Sequence, residues 1–296
     1  VSEAMTVDAA QGVSFLSQTG VGILGNSLLI TLYLTSFLLG SQLKPTDLTI
    51  IHLALVHTVM LLTRGIVMND AECKLFAYVY RITRALCIGT TSLLSVVQAI
   101  TISPSTSYLF QLQVQIPSTI RPVLAILWIP NLLISTSLLF QMFASSNTTN
   151  TNTNCYLLPI NTLLQGLILT FMALRNILFL GLMSCCSGYM VLLLHRHGHQ
   201  VQHLHSPSQA PEISPERRAT QTIMLLVSCI VVVYCGDLVF SLSLGTSLKR
   251  NAALLNAAMF VASGYAPISP FVLLTCDRRV IKFLEEVGEG GCWAAW

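Results

Sequence analysis

The sequence predicts an all-α membrane protein, a seven-transmembrane-helix bundle, from three observations. First, 53% of the 296 residues are hydrophobic and only 9% are charged, with a mean hydropathy of +0.71. An ordinary soluble domain carries about 25% charged residues, so this chain has too few to make a wet surface around a core of such a size. Second, the apolar residues gather into seven runs, each long enough for the about 20 helical residues that a bilayer core requires. Third, short breakers and polar clusters separate the runs and leave no space for a soluble domain. The net charge of +3 gives no nucleic-acid footprint.

The spans follow in order at about 13–39, 47–67, 74–102, 120–143, 161–194, 220–244 and 252–275. Ahead of the first lies a polar, slightly acidic opening, residues 1–12, with no signal-peptide pattern. It starts with Val1 rather than Met, so the chain is expected to be incomplete at its start. The first run is longer than a signal h-region and is expected to remain as a span. The membrane domain is therefore 13–276, and 277–296 form a short tail. GSQLKPTD precedes the second span, SPSTSYLFQLQVQIPS the fourth, ASSNTTNTNTNC the fifth, and HRHGHQVQHLHSPSQAPEISPERR the sixth. The third span is the most asymmetric. Between Lys74 and Ser105 its only charges are Arg81 and Arg84, both near the start, and it leaves through uncharged, hydroxyl-rich Gln98-Ala-Ile-Thr-Ile-Ser-Pro104.

Orientation follows from the basic residues. With the N-terminus outside, the inner segments hold Lys44, Arg121, Arg196, Arg217, Arg218, Arg278, Arg279 and Lys282, and the outer ones Lys74, Lys249 and Arg250. Eight against three favours that orientation. The Asn147-Thr-Thr149 sequon then falls in an outer loop, where it can carry a glycan. Cys73 and Cys155 also fall outside, in the oxidising compartment, and can pair. That pair would tie the start of the third helix to the second outer loop.

Charges inside a membrane are costly and mark function by default. At about 1.5 Å per residue, Arg84 lies roughly 15 Å below the outer start of the third span, with Arg81 one turn above it. Arg175 in the fifth span, Arg64 near the outer end of the second and Asp237 in the sixth also fall in the outer half. Such convergence suits a small-molecule site, walled by apolar and aromatic residues such as Tyr78, Ile88, Leu178, Tyr234 and Tyr265. The plainer alternative is that Asp237 neutralises Arg84 or Arg175, while Arg64 or Arg81 snorkels to the head groups. No internal repeat or broken helix suggests a transporter, and no HExxH, GxSxG or intramembrane His or acid pair suggests an enzyme. No cofactor or metal is expected. His195, His197, His199, His203 and His205 alternate in what reads as a flexible inner loop, without the fixed geometry a metal needs.

Seven helices, an outer N-terminus and one tether describe a G-protein-coupled receptor of rhodopsin-like architecture. The motifs go further. Gly20-Val-Gly-Ile-Leu-Gly-Asn-Ser-Leu28, Pro45-Thr-Asp-Leu48, His52-Leu-Ala-Leu-Val56, Leu61-Leu-Thr-Arg-Gly-Ile66, Leu93-Leu-Ser-Val-Val-Gln-Ala-Ile-Thr-Ile-Ser-Pro104, Gly181-Leu-Met183, Val201-Gln-His-Leu-His-Ser206, Arg218-Ala-Thr-Gln-Thr222 and Ser269-Pro-Phe-Val-Leu273 closely resemble the vomeronasal type-1 receptor family. The resemblance runs from about Ser14 to Arg279. It implies a plasma-membrane glycoprotein that senses a small-molecule pheromone or odorant and signals through an inhibitory-class heterotrimeric G protein. Within receptors, a bitter-taste type is the nearest alternative.

Where most rhodopsin-like receptors carry Asp-Arg-Tyr, Gln98-Ala-Ile100 stands, as in the resembled family, so an ion-pair latch is not available there. Gln98, Thr101 and Ser103, with Ser95, are expected to meet the G protein or neighbouring helices through neutral hydrogen bonds, with Arg217 and Arg218 on the same side. Arg84, deep and covered by the resemblance, is the leading ligand contact. Arg175 and Asp237 depart from the family pattern. So do the outer end of the second helix and the first outer loop, which are over a dozen residues shorter than in the family, and the tail from Glu285 to Trp296. These departures leave a decayed, non-functional family member as one alternative; a small membrane transporter is the rival from another class.

Overall fold

The structure, a computed structural model, describes residues 2–40, 42–63, 70–105, 107–146, 153–157, 162–204 and 264–276, together with Ser228, Val231, Val232 and Cys235. The chain divides into two compact units, Val1–Cys185 and Cys186–Trp296.

In the first unit α1 (Ser2–Leu38) begins well before the expected span. Its opening turns hold Ala4, Ala9 and Ala10, which form helix at least cost, and Glu3 and Asp8, which suit the positive end of the helix dipole. Gly40 ends it in the left-handed region (φ +89°), where only glycine sits without strain, and donates to the Phe37 carbonyl. Helix α2 (Pro45–Leu62) starts with a proline whose missing N–H costs nothing at that position. Asp47 folds back to accept from the Lys44 N–H at 3.2 Å. The helix stops at Thr63, and Arg64, with the rest of the shortened segment to Asn69, lies outside the described residues.

Helix α3 (Asp70–Ile102) ends just ahead of Pro104. Ser107 caps the short α4 (Tyr108–Gln113) by accepting from the Leu109 N–H. Helix α5 (Ile116–Gln141) carries Pro122 and Pro130 inside it. The connector expected to be irregular forms an antiparallel hairpin instead, β1 (Met142–Ser146) with β2 (Thr153–Leu157), Ala144 opposite Cys155. Phe143, Tyr156 and Thr153 favour strand, and the ladder satisfies backbone groups that no helix serves there. Asn147 lies outside the described residues.

Helix α6 (Thr162–Leu204) starts in the first unit and ends in the second. It runs past the expected end at 194 through the histidine-bearing stretch, which is therefore helical as far as Leu204 and not a flexible loop; no proline interrupts it before Pro207. In the second unit Ser228, Val231, Val232 and Cys235 are helical, and α7 (Tyr265–Cys276) covers the end of the seventh expected span. Tyr234, Asp237, Arg217 and Arg218 lie outside the described residues.

Among the described residues five helices are long and apolar enough to cross a membrane, with windows Gly12–Leu38, Pro45–Leu62, Lys74–Ile102, Ile116–Thr136 and Gly166–Leu193. The α3 window is 78% buried and the α6 window 6%, so α3 is the axis of the first unit. It packs against α2, α4, α5 and β1. In lipid the apolar effect does not pull helices together, and small residues and interhelical hydrogen bonds do more of the work. Buried α3 residues supply both: Ala85, Gly89, Ser92 and Ser95 are small, and Thr90 bonds across to His52 on α2. A Cβ on Gly89 would meet Leu127 Cδ2 at 3.2 Å and Phe179 Cε2 at 3.5 Å, so α5 and α6 both close on α3 at that level.

A polar triad ties three helices. Trp128 Nε1 on α5 donates to His52 Nε2 on α2 at 3.0 Å, and His52 Nδ1 lies 3.1 Å from Thr90 Oγ1 on α3. The Trp128 and His52 rings meet edge-on, with centroids 6.0 Å apart. Because Nε2 accepts from the indole, the proton of the neutral imidazole sits on Nδ1 and points at Thr90.

Candidate ligand-binding site

The arginines that the sequence places at similar depth do come together. Arg81 and Arg84 stand one turn apart on α3, both half-buried. Arg175 on α6 is half-buried too and lies within electrostatic reach of both, which repel it. Arg81 Nη2 donates to the thioether sulfur of Met172, one turn before Arg175 on α6. Arg175 Nη1 donates to Asn131 Oδ1 on α5. Arg175 Nε and Nη2 share the neighbouring Asn176 Oδ1, at 3.3 and 3.0 Å. Asn131 is buried, and its Nδ2 donates to the Leu127 carbonyl at 2.6 Å. That bond turns the amide oxygen toward Arg175. Three helices thus meet through two guanidinium groups and a set of neutral acceptors.

Ile88 is buried one turn below Arg84, and Tyr78 is half-buried one turn above Arg81. Leu178, an expected wall residue, is 72% exposed. Tyr265 is buried at the start of α7. Arg64, Tyr234 and Asp237 are outside the described residues, as noted, so the expected Asp237 pairing with Arg84 or Arg175 is outside them too. Asn131, Met172 and Asn176 were not anticipated. Asn131 and Asn176 carried a signal, since each is an uncharged polar residue at arginine depth in an apolar span; Met172 carried none.

At the other end of α3, Gln98 and Ser103 are buried and Thr101 is exposed. The hydroxyls bond along their own helix: Ser95 to the Thr91 carbonyl at 3.1 Å, Thr101 to Gln98 at 2.9 Å, Ser103 to Ala99 at 2.7 Å. Gln98 Oε1 is buried with no hydrogen-bond partner among the described residues. Around it Val97, Ile100, Ile116 and Ile120 form an apolar cluster, packed by Leu48, Leu93, Val96 and Leu109.

The model of the vomeronasal organ pheromone receptor family, V1R, matches residues 9–286. The chain belongs to this family. Among its V1R relatives, mouse vomeronasal type-1 receptor 45 is 35% identical over 92% of this chain and 90% of its own length. Rat vomeronasal type-1 receptor 90 is 36% identical over 92% of this chain and 93% of its own, and rat receptor 100 is 35% identical over 93% and 88%. The V1R match therefore runs through every described helix, the two arginine-bearing ones included.

Proposed function

We propose that this V1R chain is a chemosensory receptor that couples small-molecule pheromone or odorant binding to an inhibitory-class heterotrimeric G protein, and that it is not an enzyme. It is a plasma-membrane protein with an extracellular N-terminus, seven helices of rhodopsin-like arrangement within 13–276, and a cytoplasmic tail from 277. Five apolar helices of spanning length and the family match support this architecture. Asn147 carries a glycan on the outer side. Cys73, in the first turn of α3, pairs with Cys155 on β2; the packing of β1 against α3 favours that pairing.

The ligand enters among α3, α5 and α6. Arg84, Arg81 and Arg175 contact it, and Tyr78 and Ile88 line its pocket; Arg64, Asp237, Tyr234 and Tyr265 are further ligand-binding candidates that the sequence alone supplies. The observation that carries the site is the joining of α3, α5 and α6 by half-buried guanidinium groups in the membrane-spanning part of the chain. Gln98, Thr101, Ser103, Arg217 and Arg218 face the G protein at the opposite end.

The test is a G-protein activation assay on surface-stained cells against a panel of small volatile and steroid-like compounds. Arg84→Ala should abolish the response with surface staining unchanged. Undiminished potency would remove Arg84 from the site, and an intact surface pool that answers nothing would remove the receptor function.

A further inference from the structure

We propose that His199 and His203, one turn apart on the part of α6 that runs beyond the lipid, form a two-imidazole site for a borderline transition-metal ion of the Zn2+ class. The site is separate from the ligand pocket and does not depend on the receptor function above.

The backbone makes the difference. Alternating histidines in a flexible loop offer a metal no fixed geometry, but α6 is helical to Leu204. Four residues advance a helix by one turn and about 40°. His195, His199 and His203 therefore share one face within an arc of about 80°, while His197 stands about 160° round from His199. Two histidines at this spacing, their Cβ positions about 5–6 Å apart, are what a helix needs to hold one ion between a pair of imidazoles. His195 and His203 are eight residues, about 12 Å, apart along the axis, too far to share an ion. His199 is thus common to two possible pairs.

Charge selects between them. Arg196 is next to His195 and within one turn of His199, so an ion held by those two would meet a guanidinium directly. The His199–His203 pair lies one turn further on. It occupies the last turn and a half of α6, where the unpaired carbonyls and the negative end of the helix dipole favour a cation.

The donor set selects the metal. No Asp, Glu or Cys occurs between Arg196 and Pro211. Imidazole without carboxylate suits Zn2+, Cu2+ and Ni2+ and gives Mg2+ and Ca2+ nothing they prefer. Position gives the ion access. The apolar window of α6 closes at Leu193, so His199 stands about 9 Å and His203 about 15 Å beyond it along the axis. His195 and Arg196, at the start of this extension, are exposed. Two protein ligands leave two positions of a tetrahedral ion to water.

The full chain, purified without a histidine tag in nanodiscs of neutral phosphatidylcholine, is titrated calorimetrically with Zn2+. It should bind Zn2+ in the presence of excess Mg2+. His199→Gln and His203→Gln should each weaken binding about tenfold or more, and His195→Gln and His197→Gln should leave it unchanged. Gln202→Pro keeps both imidazoles but breaks the turn between them, and should weaken binding as much. Carbethoxylation of the unsubstituted chain with diethylpyrocarbonate, mapped by mass spectrometry, decides the matter if a variant fails to fold. There Zn2+ should protect His199 and His203 and leave His197 reactive. Displacement by Mg2+, unchanged affinity in the His199 or His203 variant, an equal loss in the His197 variant, or protection of all the histidines alike would each overturn the site.

Discussion

Replacing Trp128 by Phe tests whether the His52 triad holds α2, α3 and α5 together. The substitution keeps an aromatic ring against His52 and removes a single N–H, the donor of the 3.0 Å bond to Nε2. Interhelical hydrogen bonds in membranes average about 0.6 kcal/mol and reach about 1.7. The acceptor here also loses its only indole partner while half-buried, which puts the expected loss near 1 kcal/mol. For a chain of this size that lowers Tm by about 2 °C. His52→Ala removes both links of the triad and strands the Trp128 N–H and the Thr90 hydroxyl together, so about 2–3 kcal/mol is expected. Thermal melting of the purified receptor in detergent, run on both single variants and the double variant, gives the coupling directly. A cycle energy of about 0.6–1.7 kcal/mol supports the triad. Strictly additive losses, with coupling under about 0.3 kcal/mol, would show that the contact holds nothing together.

Three further outcomes are expected. Gly89→Ala should destabilise by about 1 kcal/mol, because the new methyl meets a Leu127 methyl at 3.2 Å and that flexible side chain can give way; melting reads it. Gln98→Leu should leave Tm unchanged or raise it, since it removes a buried oxygen without a described partner, yet evoked G-protein signalling should fall; intact signalling would take Gln98 out of the coupling surface. Cys73→Ser and Cys155→Ser should lower surface staining equally and the double variant no further, whereas unequal losses would break the pairing.

Hydropathy made the helical frame legible wherever a hard stop coincided with the lipid boundary. The third span was expected to end at 102 and α3 does end at Ile102, because Pro104 blocks continuation. It failed where helix and lipid part company. Asp70–Cys73 and the stretch from His195 to Leu204 are polar yet helical, and an apolar-run criterion registers solvent rather than backbone. The hairpin was missed for a related reason: strands of five residues among asparagines and threonines have no amphipathic period long enough to read. At the site, counting residues from span ends gave the common depth of Arg81, Arg84 and Arg175 but not their rotation about the helix axes. Leu178 was assigned to a wall and is exposed, while Asn131 and Met172, which take the guanidinium donors, were not foreseen. A hydrogen-bond partner on another helix depends on which faces meet, and one sequence does not carry that.

The Arg175 contact and the triad share one turn of α5. Asn131 offers its oxygen to Arg175 and its amide N–H to Leu127, and Trp128, one residue on from Leu127, reaches His52 and through it Thr90. Pro130 lies in the same turn and removes the N–H that would bond the Ile126 carbonyl, so α5 is weakest where its two polar contacts leave it. A ligand that draws on the Arg175 guanidinium competes first with Asn131, and Asn131 is tied to this softened turn. None of the contacts within reach is an ion pair: amide to guanidinium, indole to imidazole, imidazole to hydroxyl. The two neutral ones are worth about 1 kcal/mol each and the charge-assisted one about 1.5–3 kcal/mol, small enough for a bound ligand to exchange one for another. In a chain with Gln98-Ala-Ile100 in place of an ion-pair latch, the described residues place exchangeable polar contacts here, between α2, α3, α5 and α6, within a few turns of the arginines.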